Sequence, residues 1–183
     1  MQLRWSHAVL KVRDMETMVR FYEDVLGMEV ADRGLALGNA GPELVFMSQD
    51  ETEHHQLALA QIRTDEDPPN SLDHMAFRVG GMDDVREMMA RVADFPGIDD
   101  ASPVTHGNTV SVYFKDPEGN GIEVFCDTPW HVVQPVIHPW DPSQSDEEVL
   151  RAVEAEFASR PGSGPLNDYL ADRAEHFASR KTK

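Results

Sequence analysis

The sequence has few of the features that mark secreted, membrane-inserted or nucleic-acid-binding proteins. Cys126 is its only cysteine, which excludes an intramolecular disulfide framework. No apolar run approaches the length of a membrane span, and the start MQLRWSHAVL has no apolar signal segment. These absences predict a protein that works in a reducing cytoplasm and does not bind a membrane.

Basic residues are also scarce, with 16 Lys and Arg against 33 Asp and Glu, so that the formal net charge is −17. A charge of this sign repels phosphate backbones and anionic lipid surfaces, and we expect no nucleic-acid partner. The acids are spread along the chain, which is typical of a solvated acidic surface. The length of 183 residues and the hydrophobic content of 40% predict one compact domain with an appendage.

Two stretches of the chain agree in character. HAVLKVRDMETMVRFYEDV begins at His7 and HMAFRVGGMDDVREMMARV begins at His74, and in each a histidine precedes a strand-like run and then a helical stripe. Met15 aligns with Met82 at the start of the two stripes, and the methionines of these stripes are expected in the helix core. The agreement predicts an internal duplication of one supersecondary unit.

Each half is predicted to fold as a βαβββ module. In the first half the helix ends near Gly27, and strands follow at residues 28–32, 43–48 and 55–62. In the second half strands follow at 104–106, 109–114 and 121–126, with a hairpin turn at 116–120. We therefore predict an α+β fold in residues 1–127, with modules at about 3–63 and 72–127 and a connector at 64–71. Residues 128–183 form a C-terminal extension with a capped helix from Ser145 and a final helix.

Strand alternation assigns several polar side chains to one concave face. His7 lies opposite the helix-facing residues of its strand, and His74 has the same place in the second module. Glu123 and Tyr113 lie opposite the apolar positions of the last two strands. A carboxylate among apolar neighbours is costly unless it is paired. Two imidazoles and one carboxylate form a facial triad that suits Fe(II) or Mn(II), which predicts a metal site at His7, His74 and Glu123.

Residues 3–127 resemble the vicinal oxygen chelate superfamily in the motifs HAVLKV, DHMAFRV and YFKDPEGNGIEVF. Members of that superfamily pair βαβββ modules into a cupped mixed sheet around a divalent metal. Within it, the sequence is most similar to the small single-domain type I extradiol catechol dioxygenases. The resemblance implies that His7, His74 and Glu123 are the iron ligands.

The resemblance also implies three catalytic side chains. His55, in HHQLALAQ, matches the family histidine that transfers protons and stabilises the oxygen adduct, whereas its neighbour His54 is expected to be an ordinary strand-end residue. Tyr113 matches the tyrosine that hydrogen-bonds the metal-bound substrate oxygen. A further family histidine is expected nine residues before Tyr113, where this chain has Val104. His106, two residues closer, is the candidate replacement.

The function implied is ring cleavage of a catechol-type aromatic diol by O2, with Fe(II) as cofactor and a homo-oligomer as the assembly. One alternative is a metal-dependent glyoxalase- or epimerase-type isomerase or lyase. Such enzymes usually offer a glutamate ligand where this chain has His55 or Gln56, which favours the dioxygenase. Another alternative is a non-catalytic drug-sequestering protein, a class that commonly lacks the metal triad.

Overall fold

The computed structural model describes residues 5–64, 72–98 and 101–181, where the βαβββ order predicted for each half is present. The predicted connector lies outside these residues except for Thr64. The elements of the first half are β1 Ala8–Lys11, α1 Met15–Asp24, β2 Glu29–Leu35, the four-residue α2 Ala36–Asn39, β3 Glu43–Ser48 and β4 Leu57–Ala60. The elements of the second half are β5 His74–Arg78, α3 Met82–Asp94, β6 Ser102–Thr105, β7 Thr109–Lys115 and β8 Gly121–Asp127.

The extension adds five short or helical elements. They are β9 Trp130–His131, β10 His138–Pro139, α4 Asp146–Phe157, β11 Gly164–Pro165 and α5 Leu166–Lys181. The helix α4 begins with the predicted capping box, in which the Ser145 hydroxyl accepts from the Glu148 backbone and the Glu148 carboxylate accepts from the Ser145 backbone. None of the helices in the described part of the chain is long and apolar enough to cross a bilayer.

The two halves have the same strand order. In the first sheet the order is β1-β4-β3-β2, with β1 parallel to β4 and Ala8 opposite Leu57. In the second sheet the order is β10-β6-β7-β8-β5, so that β5 lies beside β8 as β1 lies beside β4. Sheets of mixed strand orientation combined with helices confirm the predicted α+β class.

The helix α1 shows why these residues form a helix with one buried face. Asp14 caps it, because its carboxylate accepts from the backbone and hydroxyl of Thr17. The apolar side chains recur at helical spacing and are buried: Met15, Met18, Val19, Phe21 and Tyr22. The chain leaves the helix at Gly27, whose φ of 68° is the left-handed conformation that glycine adopts without strain. The same stripe recurs in α3, where Met82, Val85, Met88 and Val92 are buried as predicted.

The described residues divide into two compact units. The first consists of residues 5–64, 72–74, 91–98 and 115–121, and it contains α1 and the β1-β4-β3-β2 sheet. The second consists of residues 75–90, 101–114 and 122–181, and it contains most of the other sheet together with the extension. In the second unit β10 pairs with β6, with His138 opposite Thr105, so the extension adds a strand to the sheet of the second module.

Candidate active site

Four polar side chains of the second unit lie together, here called the Glu123 cluster, and they form two hydrogen-bonded pairs: His106 with Tyr113, and Ser111 with Glu123. Ser111 and Tyr113 are on β7 and Glu123 is on the neighbouring β8, all on the face that strand alternation predicts. His106 lies just after β6, in the turn to β7. The structure therefore brings together three of the six residues that the sequence nominates.

Glu123 is buried, with 7% of its surface exposed. The Ser111 hydroxyl donates to its Oε1 at 2.7 Å, and the Nε2 of His106 lies 3.8 Å from the same oxygen. Burying a carboxylate is costly unless donors or positive charge compensate it. Ser111, itself fully buried, supplies one such donor.

Both ring nitrogens of His106 are engaged. Its Nδ1 lies 2.6 Å from the carbonyl oxygen of Val136, and its Nε2 lies 2.9 Å from the hydroxyl of Tyr113. The side-chain amide of Gln134 donates to the His106 carbonyl at 2.7 Å. A histidine two residues closer to Tyr113 than the family pattern thus still reaches the tyrosine.

In the first unit, His7 and His55 are in contact, with ring centroids 4.4 Å apart. The rings of His55 and Phe46 pack in a T-shaped arrangement with centroids 5.0 Å apart, and the Nδ1 of His55 lies 3.0 Å from the Nδ1 of His54. Burial lowers the pKa of His55, and repulsion from the His7 and His54 charges lowers it further. The neutral imidazole is therefore the favoured form.

His74 begins β5, and its Nδ1 lies 2.7 Å from the Asp73 carboxylate. A carboxylate accepts at this nitrogen, which leaves the lone pair of a neutral ring on Nε2, as in many metal-ligating histidines. Gly121 packs against this pair so closely that a Cβ there would overlap the Asp73 carbonyl oxygen and lie 3.0 Å from the His74 Cβ. The glycine is thus required for the position of His74.

The donor types at His7, His74 and Glu123 fit a divalent metal of the iron or manganese kind. Among residues 5–64, 72–98 and 101–181, however, no three or more His, Cys, Asp or Glu side chains form a group that could hold an ion. The assembly of these three residues around one metal therefore stays a prediction.

The remaining histidines have other neighbours. His131 stacks on Tyr169 with 3.7 Å between centroids, and His138 lies 3.8 Å from a carboxylate oxygen of Glu156. Cys126 is buried, and burial raises the pKa of its thiol. None of these contacts involves the nominated site residues.

Sequence reasoning missed the contributions of Ser111 and of the extension. Ser111 lies two residues before Tyr113 on the same strand face as Glu123, and that spacing was a usable signal. Trp140 donates its indole N–H to the Ser111 carbonyl at 2.9 Å. His54 is in contact with His55, and both residues precede β4.

Known proteins resemble this chain in sequence. The model of the Glyoxalase/Bleomycin resistance protein/Dioxygenase superfamily matches residues 4–124. Biphenyl-2,3-diol 1,2-dioxygenase 3 of Rhodococcus globerulus is 33% identical over 135 residues, covering 68% of this chain and 63% of that protein. A lactoylglutathione lyase of Neisseria meningitidis is 34% identical over 130 residues, covering 66% of this chain and 88% of that protein. The chain thus spans less than two thirds of the length of this dioxygenase.

Solved structures resemble it in fold. A glyoxylase/bleomycin resistance protein/dioxygenase domain from Frankia sp. superposes with a TM-score of 0.60 at 20% identity, covering 70% of this chain and 94% of that one. The fosfomycin resistance protein FosX from Listeria monocytogenes, crystallised with Mn(II) and sulfate, superposes with a TM-score of 0.55 at 19% identity, covering 70% and 95%. At these identities the likeness shows the fold alone.

Proposed function

Because the chain belongs to the glyoxalase/bleomycin resistance protein/dioxygenase superfamily, which confirms the resemblance seen in its motifs, we propose that it is an extradiol dioxygenase. Its substrates would be a catechol-type aromatic diol and O2. His7, His74 and Glu123 would hold Fe(II), and His55, Tyr113 and His106 would act on the substrate.

The observation that carries this proposal is the hydrogen-bonded contact between Tyr113 and His106 beside the buried Glu123. A diol needs polar partners for its hydroxyl groups next to the metal-binding carboxylate, and the Glu123 cluster offers the Tyr113 phenol there, hydrogen-bonded to the imidazole of His106. The Ser111 hydroxyl holds Oε1 of Glu123, which orients the carboxylate for a ligand role.

His55 is the candidate base for a diol proton. Its lowered pKa keeps the imidazole neutral near pH 7, so that it can accept a proton. Its ring lies against His7, a proposed ligand, so the base would stand beside the metal. When bound, Fe(II) would supply the electron transfer that lets O2 react with a diol, a direct reaction that is spin-forbidden.

The dioxygenase relatives support this choice, since two biphenyl-2,3-diol 1,2-dioxygenases of Rhodococcus globerulus are 33% and 30% identical to the chain. A second candidate is an isomerase or lyase, because lactoylglutathione lyases reach 34% identity and match over 88% of their length. The presence of His55 and Gln56, where such a lyase is expected to offer a glutamate, favours the dioxygenase.

The test is an anaerobic reconstitution with Fe(II), followed by addition of a panel of catechols including 2,3-dihydroxybiphenyl and admission of air. We expect oxygen uptake and a yellow ring-opened product. Elemental analysis of the same preparation should find iron, and variants His7→Ala, His74→Ala and Glu123→Ala should each retain much less. Turnover of a hemithioacetal without turnover of any diol would identify the lyase instead.

A further inference from the structure

The C-terminal extension contacts His106 on both its ring and its backbone. The Val136 carbonyl oxygen lies 2.6 Å from Nδ1, and the Gln134 side-chain amide donates to the His106 carbonyl at 2.7 Å. Gln134 also accepts from the Val136 backbone N–H at 3.0 Å, which ties the two extension residues to each other. The family model ends at residue 124, so this contact comes from outside the matched region.

The chemistry of these partners determines the tautomer of His106. A carbonyl oxygen only accepts hydrogen bonds, so the hydrogen of the neutral ring is on Nδ1. The Nε2 then carries the lone pair and accepts from its neighbour at 2.9 Å, the Tyr113 hydroxyl. The Glu123 carboxylate favours a hydrogen on Nε2, but its oxygen lies 3.8 Å away, beyond hydrogen-bond distance. The hydrogen bond from Nδ1 to the Val136 carbonyl, at 2.6 Å, is therefore the stronger interaction.

We propose that the extension, through Val136 and Gln134, is an active-site element that holds His106 in the Nδ1–H tautomer. The Tyr113 hydroxyl then donates its hydrogen bond to Nε2 of His106 and presents its oxygen lone pairs to the substrate. Tyr113 is thereby an acceptor for a substrate hydroxyl, which selects a substrate that arrives with that hydroxyl protonated. Gln134 and Val136 are positioning residues, because they act through His106. The identification of the substrate as a diol rests on the proposed function.

The tautomer is measurable without metal or substrate. Two-bond ¹H–¹⁵N correlation spectra of the metal-free, ¹⁵N-labelled full chain separate protonated from unprotonated ring nitrogens, and the His106 signals are assigned by their loss in His106→Ala. We expect hydrogen on Nδ1 and a lone pair on Nε2. The other neutral tautomer, with hydrogen on Nε2 and the lone pair on Nδ1, overturns the inference.

The second arm compares Gln134→Ala with Gln144→Ala in the iron-loaded enzyme. Gln144 is also in the extension and is exposed, and among the described residues its side chain makes no hydrogen bond, so it is the matched control. Gln134→Ala should lower kcat by about tenfold with little change in KM, within the roughly 100-fold loss that a displacement of about 1 Å at the reacting groups can cause. Gln144→Ala should retain the kcat of the unmodified protein.

A double-mutant cycle separates positioning from general destabilisation. In a His106→Ala background, Gln134→Ala should cause no further loss of kcat, because its effect passes through the imidazole. An equal loss in both backgrounds would overturn the inference. If the unmodified protein turns over no diol, the proposed function fails, and the metal-free spectra still decide the tautomer.

Discussion

The Nε2 of His106 lies 2.9 Å from the hydroxyl oxygen of Tyr113 and faces a carboxylate oxygen of Glu123 at 3.8 Å. The turn between β6 and β7 brings the first two together, with the His106 backbone donating to the Thr109 carbonyl at 3.1 Å. A phenol, an imidazole and a buried carboxylate are thus held within one compact unit.

Tyr113→Phe should lower kcat for diol cleavage by about 10²-fold, the lower end of the loss on removing one positioned hydrogen-bonding group from an active site. The substitution removes only the hydroxyl that contacts His106. Tyr169→Phe is the control, since Tyr169 stacks on His131 in the extension, and it should leave kcat unchanged. Steady-state oxygen uptake measures both, and equal rates for the two variants would exclude a role for the Tyr113 hydroxyl.

Ser111→Ala should weaken metal binding by about 10- to 100-fold, because it removes the donor that orients Oε1 of Glu123. Anaerobic titration of the metal-free protein with Fe(II) or Mn(II) measures the affinity. Ser102→Ala, an exposed position on β6, should bind metal as the unmodified protein does. An unchanged affinity in Ser111→Ala would remove this serine from the metal site.

The pH dependence of kcat/KM should report His55. Its folded pKa is below the ordinary 6.5, so the neutral base is present at pH 7 and is lost as the pH falls through the folded pKa. His55→Gln should abolish this fall in kcat/KM at low pH and should lower kcat by about 10²-fold or more. His54→Gln removes one charge that repels the protonated His55 ring, and it should move the midpoint of this fall to a higher pH, toward the ordinary pKa of 6.5. If kcat/KM of His55→Gln still falls at low pH, another titrating group causes the fall.

Gly107→Ala should destabilise the fold more than Gly119→Ala. Both glycines have positive φ, of 76° and 84°, so alanine costs about 1–2 kcal/mol of backbone strain at each. Only at Gly107 would the new Cβ also meet side chains, at 2.6 Å from Val132 and 3.1 Å from Phe157, which adds about 1–3 kcal/mol of overpacking. Urea denaturation measures the difference in the free energy of unfolding. Equal losses of unfolding free energy would show that Val132 and Phe157 shift to make room for the new Cβ.

The order of elements was predictable because it depends on local patterns. The strand period of two and the helical stripe indicated β1, α1, β5 and α3, and the capping box indicated α4. The short strand β10 was not predictable, because two residues form a strand there only through pairing with β6. The edge strand β2 also extends further than predicted, to Leu35, through pairing with β3.

The sequence by itself determined the duplicated α+β fold and the face on which Glu123 and Tyr113 lie, since side-chain direction along a strand follows from neighbouring residues. Only the tertiary structure decided that His106 reaches Tyr113 and that Val136 and Gln134 hold it. These contacts join residues up to 30 positions apart. Hydrogen bonds of that separation depend on the path of the folded chain, which no local periodicity encodes.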